Sequence, residues 1–171
     1  MQSKTVWLEK KFEFDFPVSM YKEFIRNLEQ TPEVLESLLN PLSQEKLKQK
    51  ENDKWSIQEN AGHLITVDEL FIGRLEDYNN NLEELRPADV TGGRTKKEDY
   101  NSRDIKQILA DFRQRRLNYI DDLKKLPPED FGKSAFHPRL KKQMRLCDML
   151  YFQAEHDQYH LEKIRELIHS V

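Results

Sequence analysis

Along residues 6 to 16, apolar and polar positions alternate. Leu8, Lys10, Phe12, Phe14 and Phe16 fall on one side, and Glu9, Lys11, Glu13 and Asp15 on the other. Period two marks extended chain. One short strand cannot make a sheet alone, so this segment is expected to lie as an arm against helices. After Pro17 the spacing becomes helical, through Met20, Phe24, Ile25 and Leu28, then Val34, Leu35, Leu38 and Leu39. Thr31-Pro32 interrupts this run. Pro32 suits the first turn of a new helical stretch capped by Thr31, which predicts a bend or restart.

A second helix opens at Ser56-Ile57-Gln58-Glu59. This is a capping box, in which the serine hydroxyl takes the N3 amide and the glutamate reaches back. It continues through Ile57, Ala61, Leu64, Leu70, Phe71 and Leu75 to about Tyr78. Residues 79 to 100, including Arg86-Pro87-Ala88-Asp89-Val90-Thr91-Gly92-Gly93, keep no sustained period and read as a long connection. Such a length is uncommon unless the chain crosses the body of the protein or contributes to a site. The third helix is expected from near Asn101, with Asp104 favourable in its first turn. It carries Ile105, Ile108, Leu109, Phe112, Leu117, Ile120 and Leu123 until Pro127-Pro128 stops it. Residues 129 to 143 read as irregular, and a fourth helix runs from about Met144 to Ile168. Four long helices with one long connection predict a single all-α domain over residues 1–171. Its expected form is a four-helix bundle running up-down-down-up, with a crossover between helices 2 and 3 and a short extended N-terminal arm.

Composition agrees with a helical protein whose surface is heavily charged: 37% of the 171 residues are hydrophobic, 35% are charged, and only five are glycine. The net charge of −3 and the interleaved signs argue against a nucleic-acid partner. The basic runs Arg113-Gln114-Arg115-Arg116 and Arg139-Leu140-Lys141-Lys142 read as solvated faces or loops. No apolar run suggests a leader or a membrane span. The single cysteine, Cys147, cannot form an internal disulfide, and a cytoplasmic protein is expected.

The chemistry gathers at histidines. His156 and His160 stand four residues apart in helix 4, so they project from one face about 6 Å apart. His63 lies in helix 2, which the bundle topology lets face helix 4. Three imidazoles can hold a divalent ion and leave positions open for water or substrate. Taken singly, His63 also fits a hydrogen-bonded core histidine, and the pair a polar surface stripe. Against the stripe, the pair shares a side with Leu146, Leu150, Phe152 and Ile164, where buried imidazoles are poorly tolerated unless something binds them. The ring nitrogens are therefore expected within about 4 Å of one another around an ion, and separations beyond about 8 Å would exclude it. His156-Asp157-Gln158-Tyr159-His160 differs from the zincin pattern at its second position, where aspartate replaces the glutamate base, and no surrounding sheet is predicted. Glu155 and Asp157 are expected to orient imidazoles or face solvent. Asp68, five residues after His63, and the loop residue His137 are candidate catalytic neighbours, whereas His169 is expected to be exposed. Cys147 lies nine residues before His156, well over 10 Å at about 1.5 Å per residue, and reads as an inert buried thiol.

Four motifs in order also carry a family resemblance. The run Asp53-Lys54-Trp55-Ser56-Ile57-Gln58-Glu59-Asn60-Ala61-Gly62-His63-Leu64 resembles the second-helix signature of the DinB/YfiT-like superfamily. Leu85-Arg86-Pro87-Ala88-Asp89, Phe136-His137-Pro138-Arg139-Leu140 and Glu155-His156-Asp157-Gln158-Tyr159-His160-Leu161 are similar to its later motifs. The resemblance implies a four-helix bundle and a divalent-metal site formed by His63, His156 and His160. It also implies homodimers and either thiol-dependent S-transferase or hydrolase chemistry. The crossover around Gly92-Gly93 and Tyr100 is where such proteins vary.

The first expectation is thus an enzyme in which zinc or nickel activates a low-molecular-weight thiol toward a small-molecule substrate. Activation of water by the same ion, in a metal-dependent hydrolase, is the second. A non-catalytic dimeric binding or structural bundle is the third. No organic cofactor, nucleic acid or membrane is expected as a partner.

Overall fold

A computed structural model of the chain describes residues 6–170; residues 1–5 of the expected arm and Val171 lie outside the described residues. Four long helices build the bundle: α1 (Tyr21–Leu39), α3 (Ile57–Asn79), α5 (Ile105–Lys124) and α6 (Leu146–His169). Two short helices, α2 (Gln44–Lys48) and α4 (Gly93–Lys97), lie in the connections. Helices α1 and α3 each pack on both α5 and α6, so α1 and α3 stand on a diagonal. Cross-helix pairs give the directions. Glu29 meets Lys124 and Glu36 meets Arg113, so α1 and α5 are antiparallel. Ser56 reaches Asn101 just ahead of α5, while Asp68 meets Arg116, so α3 and α5 run the same way. His63 lies beside His160 and Arg74 beside Met149, so α3 and α6 are antiparallel. The order is up-down-down-up. Two successive helices pointing the same way require the long crossover between them.

Local signals act as expected at Ser56, where both halves of the capping box form. Helix α5 begins later than the pattern suggests: Asp104 is its N-cap, accepting from the Lys106 amide at 2.7 Å, and Tyr100–Ser102 forms a separate turn of 3-10 helix. The Tyr100 ring is seated on α3 at Gly62, where a Cβ would come within 2.1 Å of it, so only glycine admits this contact.

Three expectations are corrected. Helix α1 does not restart at Thr31-Pro32; Pro32 lies inside one continuous helix. Proline removes the N–H that would bond the Leu28 carbonyl, but that carbonyl accepts from Arg116 at 3.0 Å instead. The stretch 129–143 is ordered: a 3-10 turn, Pro128–Gly132, leads into an antiparallel hairpin of β1 (Ser134–His137) and β2 (Lys142–Arg145). Its first strand also bonds the crossover, the Phe136 amide to Glu83 O and the Leu85 amide to Phe136 O. Neither basic run is simply solvated. Arg116 is fully buried, and Arg139 and Lys142 reach carbonyls of the arm.

The arm is extended beyond a 3-10 turn at Trp7–Glu9. Phe12 is buried and Phe14 and Phe16 half-buried, as the alternation predicts, but the turn changes the phase so that Trp7 packs inward and Leu8 is exposed. No strand pairs with the arm among the described residues. Its carbonyls are taken by side chains, Phe12 O by Lys142 and Phe14 O and Phe16 O by Arg145.

One polar layer crosses all four helices at the same level. Thr31 of α1, Asp68 of α3, Arg116 of α5, and Gln153 and Asp157 of α6 are all buried there. Above and below it lie two separate hydrophobic clusters, one around Leu28, Phe71, Ile120 and Leu150, the other around Leu35, Leu64, Phe112 and Leu161. Arg116 places all five of its N–H donors, two on Asp68, two on Asp157 and one on Leu28 O. A buried guanidinium persists only when its donors are satisfied this completely. No helix among the described residues is long and apolar enough to cross a membrane.

Candidate metal centre

Because α3 and α6 are antiparallel neighbours, His63 is brought opposite the His156–His160 pair. One ring nitrogen from each lies within 4.8 Å of the others. This is somewhat wider than the expected 4 Å and well inside the excluding distance. Ring centroids stand 4.6 Å apart for His63–His160 and His156–His160, and 5.3 Å for His63–His156.

The surroundings orient these rings. Asn60, one turn before His63 on α3, donates its amide nitrogen to Ser56 O at 2.8 Å, which turns its Oδ1 toward His160 Nδ1 at 3.0 Å. A carbonyl oxygen only accepts, so His160 must carry its proton on Nδ1 and keep the Nε2 lone pair available. His63 Nδ1 meets Thr95 Oγ1 at 2.7 Å, contributed by the short crossover helix α4. His156 retains a buried Nδ1 with no hydrogen-bond partner, an unsatisfied atom of the kind a bound ion can accommodate. Burial presses His63 down to about 4 and holds His156 and His160 well below the usual histidine range, the neighbouring imidazoles adding to the effect. All three rings are therefore neutral near pH 7, the form that binds metal. The donor set fits a divalent ion.

The site opens into a cleft of about 970 Å³. The Trp55 ring lies tilted against His63 at 4.6 Å, and Trp7 of the arm sits edge-on to His156 at 5.0 Å. His137 lines the cleft as well, and it is buried. Asp68 does not line it; it belongs to the Arg116 layer, where burial raises its carboxyl against the opposing pull of the guanidinium. Asp157 is corrected likewise, since it bonds Arg116 and Thr31 and orients no imidazole. Glu155 pairs with Lys10. Cys147 is buried away from the cleft with its thiol pushed up to about 12 by burial, and His169 is exposed. Sequence reasoning missed Asn60, Thr95 and both tryptophans. Asn60 had a signal, being one turn from His63 on the same face; Thr95 had none.

The fold is similar to a solved structure, YfiT from Bacillus subtilis, with a TM-score of 0.80 and 19% sequence identity over 92% of this chain and 91% of that one. That protein is described as a probable metal-dependent hydrolase with an unusual four-helix bundle topology. No curated protein matches the chain. The family model of the DinB superfamily matches residues 27–164, a span that holds all three histidines, and the chain belongs to that superfamily.

Proposed function

We propose that this chain is a metal-dependent enzyme that activates a small nucleophile at His63, His156 and His160. The observation that carries this reading is the convergence of three neutral imidazoles, one in a defined tautomer, on an open cleft. A divalent ion held by these three residues, zinc or nickel, would supply Lewis acidity that eases deprotonation of a thiol or water. Asn60 and Thr95 keep two of the ring planes in place, and Trp7 and Trp55 form an apolar wall that limits water around the reacting atoms. The cysteine thiol does not compete: Cys147 is buried outside the cleft and held protonated.

Transfer of a low-molecular-weight thiol to a small electrophile is the first reading. The volume lies near the upper end for small-molecule sites, which leaves room for both reactants. Hydrolysis is the second, favoured by the likeness to YfiT. A cytoplasmic homodimer is part of the same proposal.

Protein purified without a histidine tag should bind about one divalent ion per chain. Incubation of the loaded protein with an electrophile, with and without cysteine as the thiol, then separates the two readings by product. A thiol adduct supports transfer, and a hydrolysed product formed without thiol supports the second reading. Absence of metal binding at any loading overturns both. Cys147→Ala should leave turnover intact, and its loss with fold and metal content unchanged would assign the nucleophile to the protein.

A further inference from the structure

We propose that the end of the cleft remote from the histidines is an oxyanion subsite, built by Arg74, Arg139 and His137, which binds a carboxylate or phosphate group of the substrate. This rests on the cleft being the substrate cleft, and it adds the chemical class of what enters.

None of the three is paired with a carboxylate among the described residues: the two arginines meet only backbone carbonyls and a thioether, and one imidazole nitrogen meets nothing. Arg74 is fully buried at the cleft floor; its Nε donates to Arg86 O at 3.1 Å and its Nη1 reaches Met149 Sδ at 3.9 Å. No carboxylate pairs with it among the described residues, because the nearby Asp77 is engaged by Arg86. Arg139 lies in the hairpin turn with its guanidinium 5.8 Å over the Phe152 ring, and among the described residues its one hydrogen bond is a long contact to Leu8 O. A buried guanidinium such as that of Arg74 is costly without a counter-ion, and the half-buried Arg139 beside it adds repulsion. Their proximity shows in the geometry: Arg139 and His137 lie against the same Phe152 ring, at 5.8 and 5.5 Å, and Arg74 lines the cleft with them.

His137 completes the set. Its Nδ1 accepts the Leu140 amide at 3.2 Å, so in the neutral ring the proton sits on Nε2. That Nε2 is buried and has no hydrogen-bond partner. Two guanidiniums with no carboxylate partner among the described residues and an unpartnered imidazole N–H therefore line one end of the cleft. An oxyanion satisfies all three, and charge-assisted bonds to arginine favour it over a neutral carbonyl.

Position sets the length of the ligand. Met149, which Arg74 touches, precedes His156 by seven residues of α6, on the order of 10 Å at the helical rise. Between them stand Phe152 and Phe71, both lining the cleft. The substrate thus carries its anionic group on the order of 10 Å from its reactive centre, across an apolar stretch.

The test is isothermal titration of malonate and of inorganic phosphate, at constant ionic strength, into metal-free and zinc-loaded protein. Saturable binding to the metal-free protein is expected, weakened roughly tenfold or more in Arg139→Gln, which removes one charged donor at a partly exposed position. The anion should also shift the His137 Nε2–H resonance. Malonate binding alone assigns a carboxylate subsite, phosphate binding alone a phosphate subsite. The proposal is overturned if neither anion binds. It is also overturned if Arg139→Gln binds as the parent does, or if binding needs zinc and vanishes in His160→Ala, since the anion would then be a metal ligand. Because the metal-free arm is independent of the ion, a failure of the metal reading leaves this result interpretable.

Discussion

Arg116 donates at 3.0 Å to the carbonyl of Leu28, the same carbonyl that Pro32 deprives of its helical partner. A helix-breaking residue in α1 and a buried cation in α5 thus answer one another. Pro32 leaves an acceptor open in the core, and Arg116, already neutralised by Asp68 and Asp157, fills it with its fifth donor. This explains why α1 passes through a proline without breaking.

Removing the guanidinium leaves two carboxylates and a carbonyl unpaired in the core. Arg116→Met should lower stability by about 3–5 kcal/mol in urea unfolding. Arg116→Lys should not restore it, because one ammonium cannot bond both carboxylates in the same fork geometry. Thr31→Val removes only one donor to Asp157 and should cost about 1 kcal/mol. An Arg116→Met protein as stable as the parent would show that the layer holds nothing together.

Ser56 is more than a cap. Its hydroxyl accepts from the Glu59 amide at 3.0 Å and donates to Asn101 at 2.8 Å, tying α3 to the end of the crossover. Ser56→Ala should therefore cost about 2 kcal/mol, about 1 from the cap and about 1 from the cross-chain bond. Metal content should stay unchanged. Loss of metal at unchanged stability would instead place Ser56 in the site.

Asn60 holds His160 without touching an ion. Asn60→Ala should weaken zinc or nickel binding by roughly 10–100-fold, as measured by competition with a chelator, while circular dichroism stays the same. His160→Ala should abolish turnover, since two imidazoles hold an ion weakly. Undiminished affinity in Asn60→Ala would mean that packing alone orients the ring.

His137 predicts a pH dependence. Burial, aided by Arg74 and Arg139, holds it down to about 3, whereas in the unfolded chain it titrates near about 6.5. Below that value the unfolded state binds a proton that the fold refuses. The stability that neutral His137 permits is therefore complete above pH 6.5 and lost as pH falls toward 3, with a slope of up to about 1.4 kcal/mol per pH unit. In metal-free protein, His137→Gln should flatten the stability curve across that window. Parallel curves for the two proteins would show that His137 takes up its proton in the fold.

The four long helices, their order, the cap at Ser56 and the three histidines were legible from residue patterns, because each depends on neighbours within about a turn or on the register of one helical face. The hairpin was not, since β1 has few apolar residues and its pairing lies across a turn. Nor was the start of α5, where Asp104 suits either a cap or a first turn. The arm was read correctly from Phe12 onward and lost its phase at Trp7, where a turn of 3-10 helix intervenes.

The roles of the charged residues were out of reach of any local pattern. Arg116 sits in a basic run that looks solvated, yet its partners lie 41, 48 and 88 residues away along the chain. Asp68 and Asp157 look like attendants of the histidines from their spacing, and become counter-ions once α5 is placed between α1 and α3. Periodicity reports which face of a helix is buried. Whether a charge on that face is paired, left as a free donor in a cleft, or turned toward an imidazole depends on which other helices meet it at that level, and assembly of the bundle brings those groups together.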